Sequence, residues 1–65
     1  MNTYHIWTNS SQHTHTGTDE SAVQAASIRC FISHTDKEYA VSRLKSGGVA
    51  MGSYGFSTYE IRRVN

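Results

Sequence analysis

The sequence predicts a small α+β domain in which two helices cover one face of an antiparallel or mixed three-stranded sheet, in the order β-β-α-α-β. Three observations predict it. Segments rich in aromatic and β-branched residues lie at both ends of the chain, Thr3–Thr8 and Phe56–Val64, and such composition suits strands. Two stretches between them open with helix-capping residues and continue with good helix formers. Finally, 65 residues allow one domain, here 1–65, built around a single core.

The first strand reads Thr3-Tyr4-His5-Ile6-Trp7-Thr8, and the polar run Asn9-Ser10-Ser11 after it predicts a turn. Gln12–Thr16 then alternates histidine and threonine with period two, which predicts an exposed edge strand pairing back on the first. Gly17-Thr18-Asp19-Glu20 announces a helix. Thr18 or Asp19 can cap its free N–H groups, and two acidic residues suit the positive end of the helix dipole. Ala22, Ala25 and Ala26 carry this helix forward, and it is expected to reach about Phe31.

Thr35-Asp36-Lys37-Glu38 fits a capping box, with Thr35 as N-cap and Glu38 reaching back. Lys37, Ala40, Val41 and Leu44 fall on one face of the helix that follows. Arg43 and Lys45 occupy its last turn, and Gly47 is placed for the left-handed residue that ends it. A glycine-rich connection, Gly47–Gly55, has room for a short strand at Val49–Met51. The last strand, Phe56–Val64, turns Tyr59 and Ile61 toward the core and is expected beside the first. If Tyr4 and Ile6 face the helices, alternation puts His5 and Trp7 on the opposite face, with alternate residues of the final strand.

Composition narrows the functional classes. The chain is polar, yet aromatic residues make up 11% of it, more than disordered segments carry. A net charge of +1 gives no electrostatic mandate for nucleic acid or an anionic membrane. Cys30 is the only cysteine, so no internal disulfide can form. The first residues carry neither a basic segment nor an apolar run, so a cytoplasmic location without a membrane anchor is expected. So small a domain draws its extra stability from good packing, oligomerisation or a bound partner, and a homodimer is one expected form.

Catalytic and metal-binding patterns are sparse, and no cofactor is expected. His13 and His15 share a face of their strand, and His5 across the hairpin could complete three convergent imidazoles for a metal; the alternative is a solvated edge. Cys30 and His34 stand at i, i+4, the spacing of a thiol–imidazole pair, but an apolar neighbourhood suits a small buried cysteine better. The acidic pairs Asp19/Glu20 and Asp36/Glu38 are explained as helix starts. A non-enzymatic role is therefore expected.

Tyr54-Gly55-Phe56-Ser57-Thr58-Tyr59 resembles part of the aromatic RNA-stacking motif of the RNA-recognition-motif family at its aromatic, glycine and final aromatic positions. It departs from that motif at Gly52, Ser53 and Ser57, and the helix and strand that follow the motif in the family have no counterpart after Tyr59. The resemblance implies single-stranded nucleic acid held by stacking aromatics with Arg62 and Arg63. In length, single-domain layout and scarcity of cysteine the chain also resembles small phage-encoded accessory proteins, including anti-CRISPR inhibitors. That likeness implies a non-catalytic protein acting on a host protein or complex.

The residues best suited to contact a partner are Trp7, Tyr54, Tyr59, Arg62 and Arg63, because tryptophan, tyrosine and arginine combine large area with a polar handle. The expected function is protein binding, by an inhibitor or adaptor that occludes a partner protein or complex. Single-stranded RNA binding through the same residues is the alternative.

Overall fold

Alternation in the first segment decides the architecture, because it separates Tyr4, Ile6 and Thr8 from His5 and Trp7. The computed structural model describes residues 1–65. Its elements run β1 (Asn2–Thr8), β2 (Ser11–Gly17), α1 (Asp19–Ser27), α2 (His34–Gly47), β3 (Val49–Tyr54) and β4 (Ser57–Arg63). All strand pairs are antiparallel and the order across the sheet is β2-β1-β4-β3. The α+β class and the pairing of the last strand with the first match expectation. The sheet has four strands rather than three, because the expected short strand at Val49–Met51 continues to Tyr54 and pairs with β4 along its whole length.

The turn between β1 and β2 is tight, with Asn9 and Ser10 at φ values of 49° and 75°. Positive φ at both central residues gives the turn the twist that adjoining antiparallel strands require. Asn9 then anchors the turn: its side chain donates to the Arg29 carbonyl at 3.1 Å and accepts from the Thr58 amide at 3.1 Å.

Helix α1 starts at Thr18, whose hydroxyl accepts from the Ser21 amide at 3.0 Å while Ser21 Oγ accepts from the Thr18 amide at 2.9 Å. It ends at Ser27, short of the expected Phe31. Beyond it, Cys30 and Ile32 are buried while Phe31 between them is exposed, an alternation that a helix cannot satisfy. Helix α2 is capped by Ser33, which accepts from the Asp36 amide at 3.2 Å; the expected box between Thr35 and Glu38 does not form, since Thr35 is already inside the helix. The left-handed residue closing α2 is Gly48 at φ 75°, one position beyond Gly47, and its amide bonds to the Leu44 carbonyl.

Both helices pack on the same face of the sheet. From the strands, Tyr4, Ile6, Ala50, Tyr59 and Ile61 enter the core; from the helices and their connection come Ala22, Val23, Ala26, Cys30, Ile32, Ala40 and Leu44. Four of these twelve are alanines, whose small side chains let the helix backbones sit close to the sheet. Burial of Leu44 or Ile61, both fully enclosed, contributes about 1.5–3 kcal/mol each.

Candidate functional site

Strand register determines what the uncovered face displays. Trp7 stands between Gln12 of β2 and Glu60 of β4, and Met51 of β3 lies beyond Glu60. In the next row His5 stands between Thr14 and Arg62, with Val49 beyond Arg62. Trp7 is partly exposed and meets the His5 ring edge-on, with centroids 5.8 Å apart. Arg62 is tied to Glu60 by a 3.0 Å contact. A shallow depression of about 530 Å³ runs from Trp7 to Met51 and is bounded by Asn9, Ser53, Thr58 and Glu60. This face therefore carries Trp7 on one side and Met51 and Val49 on the other, with the Glu60–Arg62 ion pair between them and threonine and glutamine at the margin.

The five residues singled out from the sequence do not form one surface. Trp7 and Arg62 share the uncovered face. Tyr59 points to the other side, where it is 8% exposed and belongs to the core; burial pushes its phenol above the ordinary value. Its assignment as a surface contact is replaced by a packing role, because residues paired with Thr8 of β1 point toward the helices. Arg63 also projects to the helix side and reaches Asp19 at 3.6 Å. Tyr54 lies at the end of β3, on the helix side, with its ring 5.0 Å from that of Phe31.

Two groupings escape a reading of the sequence. One is polar and enclosed. The Tyr4 hydroxyl donates to the Asp19 carboxylate, which also meets Arg63 and, at 3.8 Å, Lys45. Burial, reinforced by donation to Asp19, holds the Tyr4 phenol above its ordinary value of 10.0. The network fastens the first turn of α1 to β1, β4 and α2. The other is exposed and aromatic: Phe31, Tyr39 and Tyr54 cluster beside the outer edge of β3, each more than half exposed, and Phe56 stands free at the hairpin tip. Spacing along the chain gives no sign of either grouping, since each joins residues from separate elements.

The metal and thiol patterns resolve into other roles. His13 and His15 face the helix side, opposite Ile6 and Tyr4, whereas His5 faces away, so the three imidazoles do not converge. His15 instead contacts Ser21 Oγ at 2.8 Å. Cys30 is buried, which raises its thiol above the ordinary 9.0, and exposed His34 pairs with Glu38 at 3.4 Å. The segment resembling the RNA-stacking motif is a β-hairpin, with Gly55 at its turn and Tyr59 in the core, so these aromatics do not line the uncovered face.

No helix is long and apolar enough to cross a membrane. No protein-family model, curated protein or solved structure matches this chain.

Proposed function

We propose that this chain is a non-catalytic protein-binding module, an inhibitor or adaptor that docks a partner protein on the uncovered sheet face. The observation that carries this reading is the position of the only tryptophan. Trp7 lies on the side of the sheet away from both helices, in one row with Met51, where a core tryptophan would have turned inward. A tryptophan set among polar residues that can exclude water at the margin is the usual make-up of a binding hot spot. A rigid four-stranded platform adds little ordering entropy on association.

Charge makes nucleic acid the less favoured ligand. Affinity for phosphate rests on unneutralised lysine and arginine. Here Arg62 is engaged by Glu60 and Arg63 by Asp19.

The test is a pull-down of the tagged protein and its Trp7→Ala variant from bacterial lysate, with and without nuclease, after circular dichroism has confirmed that both are folded. A stoichiometric protein that survives nuclease and is lost with Trp7→Ala is the expected result. Truncating a tryptophan hot spot costs at least about 2 kcal/mol, or roughly thirtyfold in affinity. Equal recovery by the two proteins, or material that disappears with nuclease, removes the reading. Tryptophan emission of the free protein is expected to be quenched readily by acrylamide, as befits a partly exposed ring.

A further inference from the structure

We infer that the outer edge of β3, together with the stripe Asp36–Tyr39–Arg43 on α2, pairs two copies of this chain about a two-fold axis. The inference goes beyond the proposed partner-binding role: it uses the outer edge of β3 and the exposed stripe of α2, and meets the uncovered face only at Val49, Met51 and Ser53.

The edge itself is the first argument. β3 is a terminal strand of the sheet, six residues long, without a charge or a proline. Natural sheets shield such edges with charges, proline, bulges or a covering loop. The Arg63 amide bonds to the Gly48 carbonyl, which fixes the alternation: even-numbered residues of β3 bond to β4, and Val49, Met51 and Ser53 turn their N–H and C=O groups outward. A two-fold axis through Met51 sets Met51 against Met51 of the second copy and Val49 against Ser53, so all three outward-facing residues are bonded and side chains stay on their proper faces. Two four-stranded sheets then join into one of eight.

Helix α2 supplies the second argument. Asp36, Tyr39 and Arg43 follow an i, i+3, i+7 stripe and are all exposed. The stripe faces away from α1, because Lys37 and Lys45 on the other side reach Gln24 and Glu20 of that helix. It faces β3, because Asp36, Tyr39 and Met51 line one cavity of about 140 Å³. Tyr39, near the midpoint of the stripe, borders the same cavity as Met51, so a two-fold axis beside both serves strand and helix together. Antiparallel pairing of α2 with its copy about that axis brings Asp36 opposite Arg43 twice, with Tyr39 between. Neither Asp36 nor Arg43 has an ion-pair partner within the chain. An isologous interface needs this kind of self-complementarity.

Apolar exposure chooses between the two edges of the sheet. Met51, Tyr54, Phe31 and Tyr39 are each 58–65% exposed, and all adjoin β3. The opposite edge, β2, has the sequence SQHTHTG and carries no large apolar residue.

Sedimentation equilibrium over a concentration series tests the pairing. The native chain is expected to reach twice its monomer mass. Arg43→Asp should weaken the dimer by about tenfold or more, and the double variant Asp36→Arg/Arg43→Asp should restore it, which a folding defect cannot imitate. Met51→Lys should leave a folded monomer, while Trp7→Ala should dimerise as the native chain does. Amide exchange at Val49, Met51 and Ser53 should slow as concentration rises, with Gln12, Thr14 and Thr16 unaffected. A chain that stays monomeric at millimolar concentration, concentration-dependent protection on β2, or failure of the double variant to recover overturns the inference.

Discussion

Gly52 and Tyr59 face each other across β3 and β4, and the pair shows how one missing side chain supports another that is large. A Cβ built at Gly52 would lie 2.8 Å from Tyr59 Cε1 and 3.0 Å from its hydroxyl oxygen. The tyrosine ring therefore lies flat over the glycine and covers its backbone, much as aromatic residues shield strand glycines elsewhere. The ring must shift to admit that Cβ, and although Tyr59 borders a cavity of about 140 Å³ with Asp36 and Tyr39 of α2, moving it disturbs a core residue that is only 8% exposed. Gly52→Ala is expected to destabilise the fold by about 1–3 kcal/mol through overpacking, measured by urea denaturation. The same substitution in a Tyr59→Leu background should cost clearly less, because the clash is with the ring. Equal costs in the two backgrounds would show that Gly52 is needed for some other reason. Tyr59 thus acts as a packing residue, although its type alone made it a candidate for partner contact.

At the scale of elements, the start of α2 turns on a choice among neighbouring hydroxyls. Ser33 has extended backbone angles, φ −66° and ψ 164°, and accepts from the Asp36 amide, whereas Thr35 lies in the first turn of the helix. Ser33→Ala should cost about 1 kcal/mol of stability, as for other N-cap serines, and Thr35→Ala no more than a few tenths. The reverse ranking in denaturant midpoints would place the cap at Thr35. Both helices and the β1–β2 and β1–β4 pairings are legible in the sequence because their signals are local: caps, alanine content and period-two alternation. Of strand β3 only Val49–Met51 is legible, since Gly52 and Ser53 have poor strand propensity and are held by cross-strand partners, Tyr59 above all. The end of α1 is missed for the same reason, because burial of Cys30 and Ile32 overrides helix continuation. Of the candidate site, the side on which Trp7 lies follows from alternation with Tyr4 and Ile6. The burial of Tyr59 follows too, once Ile61 is assigned to the core. The engagement of Arg63 by Asp19 and of Tyr54 by Phe31 joins distant parts of the chain, which no window of sequence contains.

Taken as a whole, the molecule holds three buried weakly acidic groups, Tyr4, Cys30 and Tyr59, in their neutral forms, and this sets its response to alkali. Tyr4 is fully enclosed, donates to Asp19 and lies near His15, Asn2 and Arg63; burial is the main cause that lifts its phenol, and the Asp19 carboxylate adds to it. Tyr59 is raised by burial and by the nearby Asp36 carboxylate, and Cys30 by burial alone. A group whose folded-state value lies above its unfolded value keeps a proton in the native chain that the unfolded chain has already released. In that interval the unfolded state binds fewer protons, so stability falls as pH rises. Each such group contributes fully below its ordinary value, 9.0 for the thiol and 10.0 for the phenols, and the contribution is lost above it. Urea midpoints measured under reducing conditions should stay level to about pH 8.5 and then decline. The limiting slope is about 1.4 kcal/mol per pH unit for each group titrating. Tyr4→Phe should lower stability at neutral pH, because Asp19 loses a buried donor, by about 1.5–3 kcal/mol. It should also flatten the decline above about pH 10, because the phenol that supplies that part of the slope has gone. A midpoint constant to about pH 11, or an equally steep decline in the Tyr4→Phe protein, would show that the phenol is not held neutral by the Asp19 network and that α1 is fastened to the sheet by other contacts.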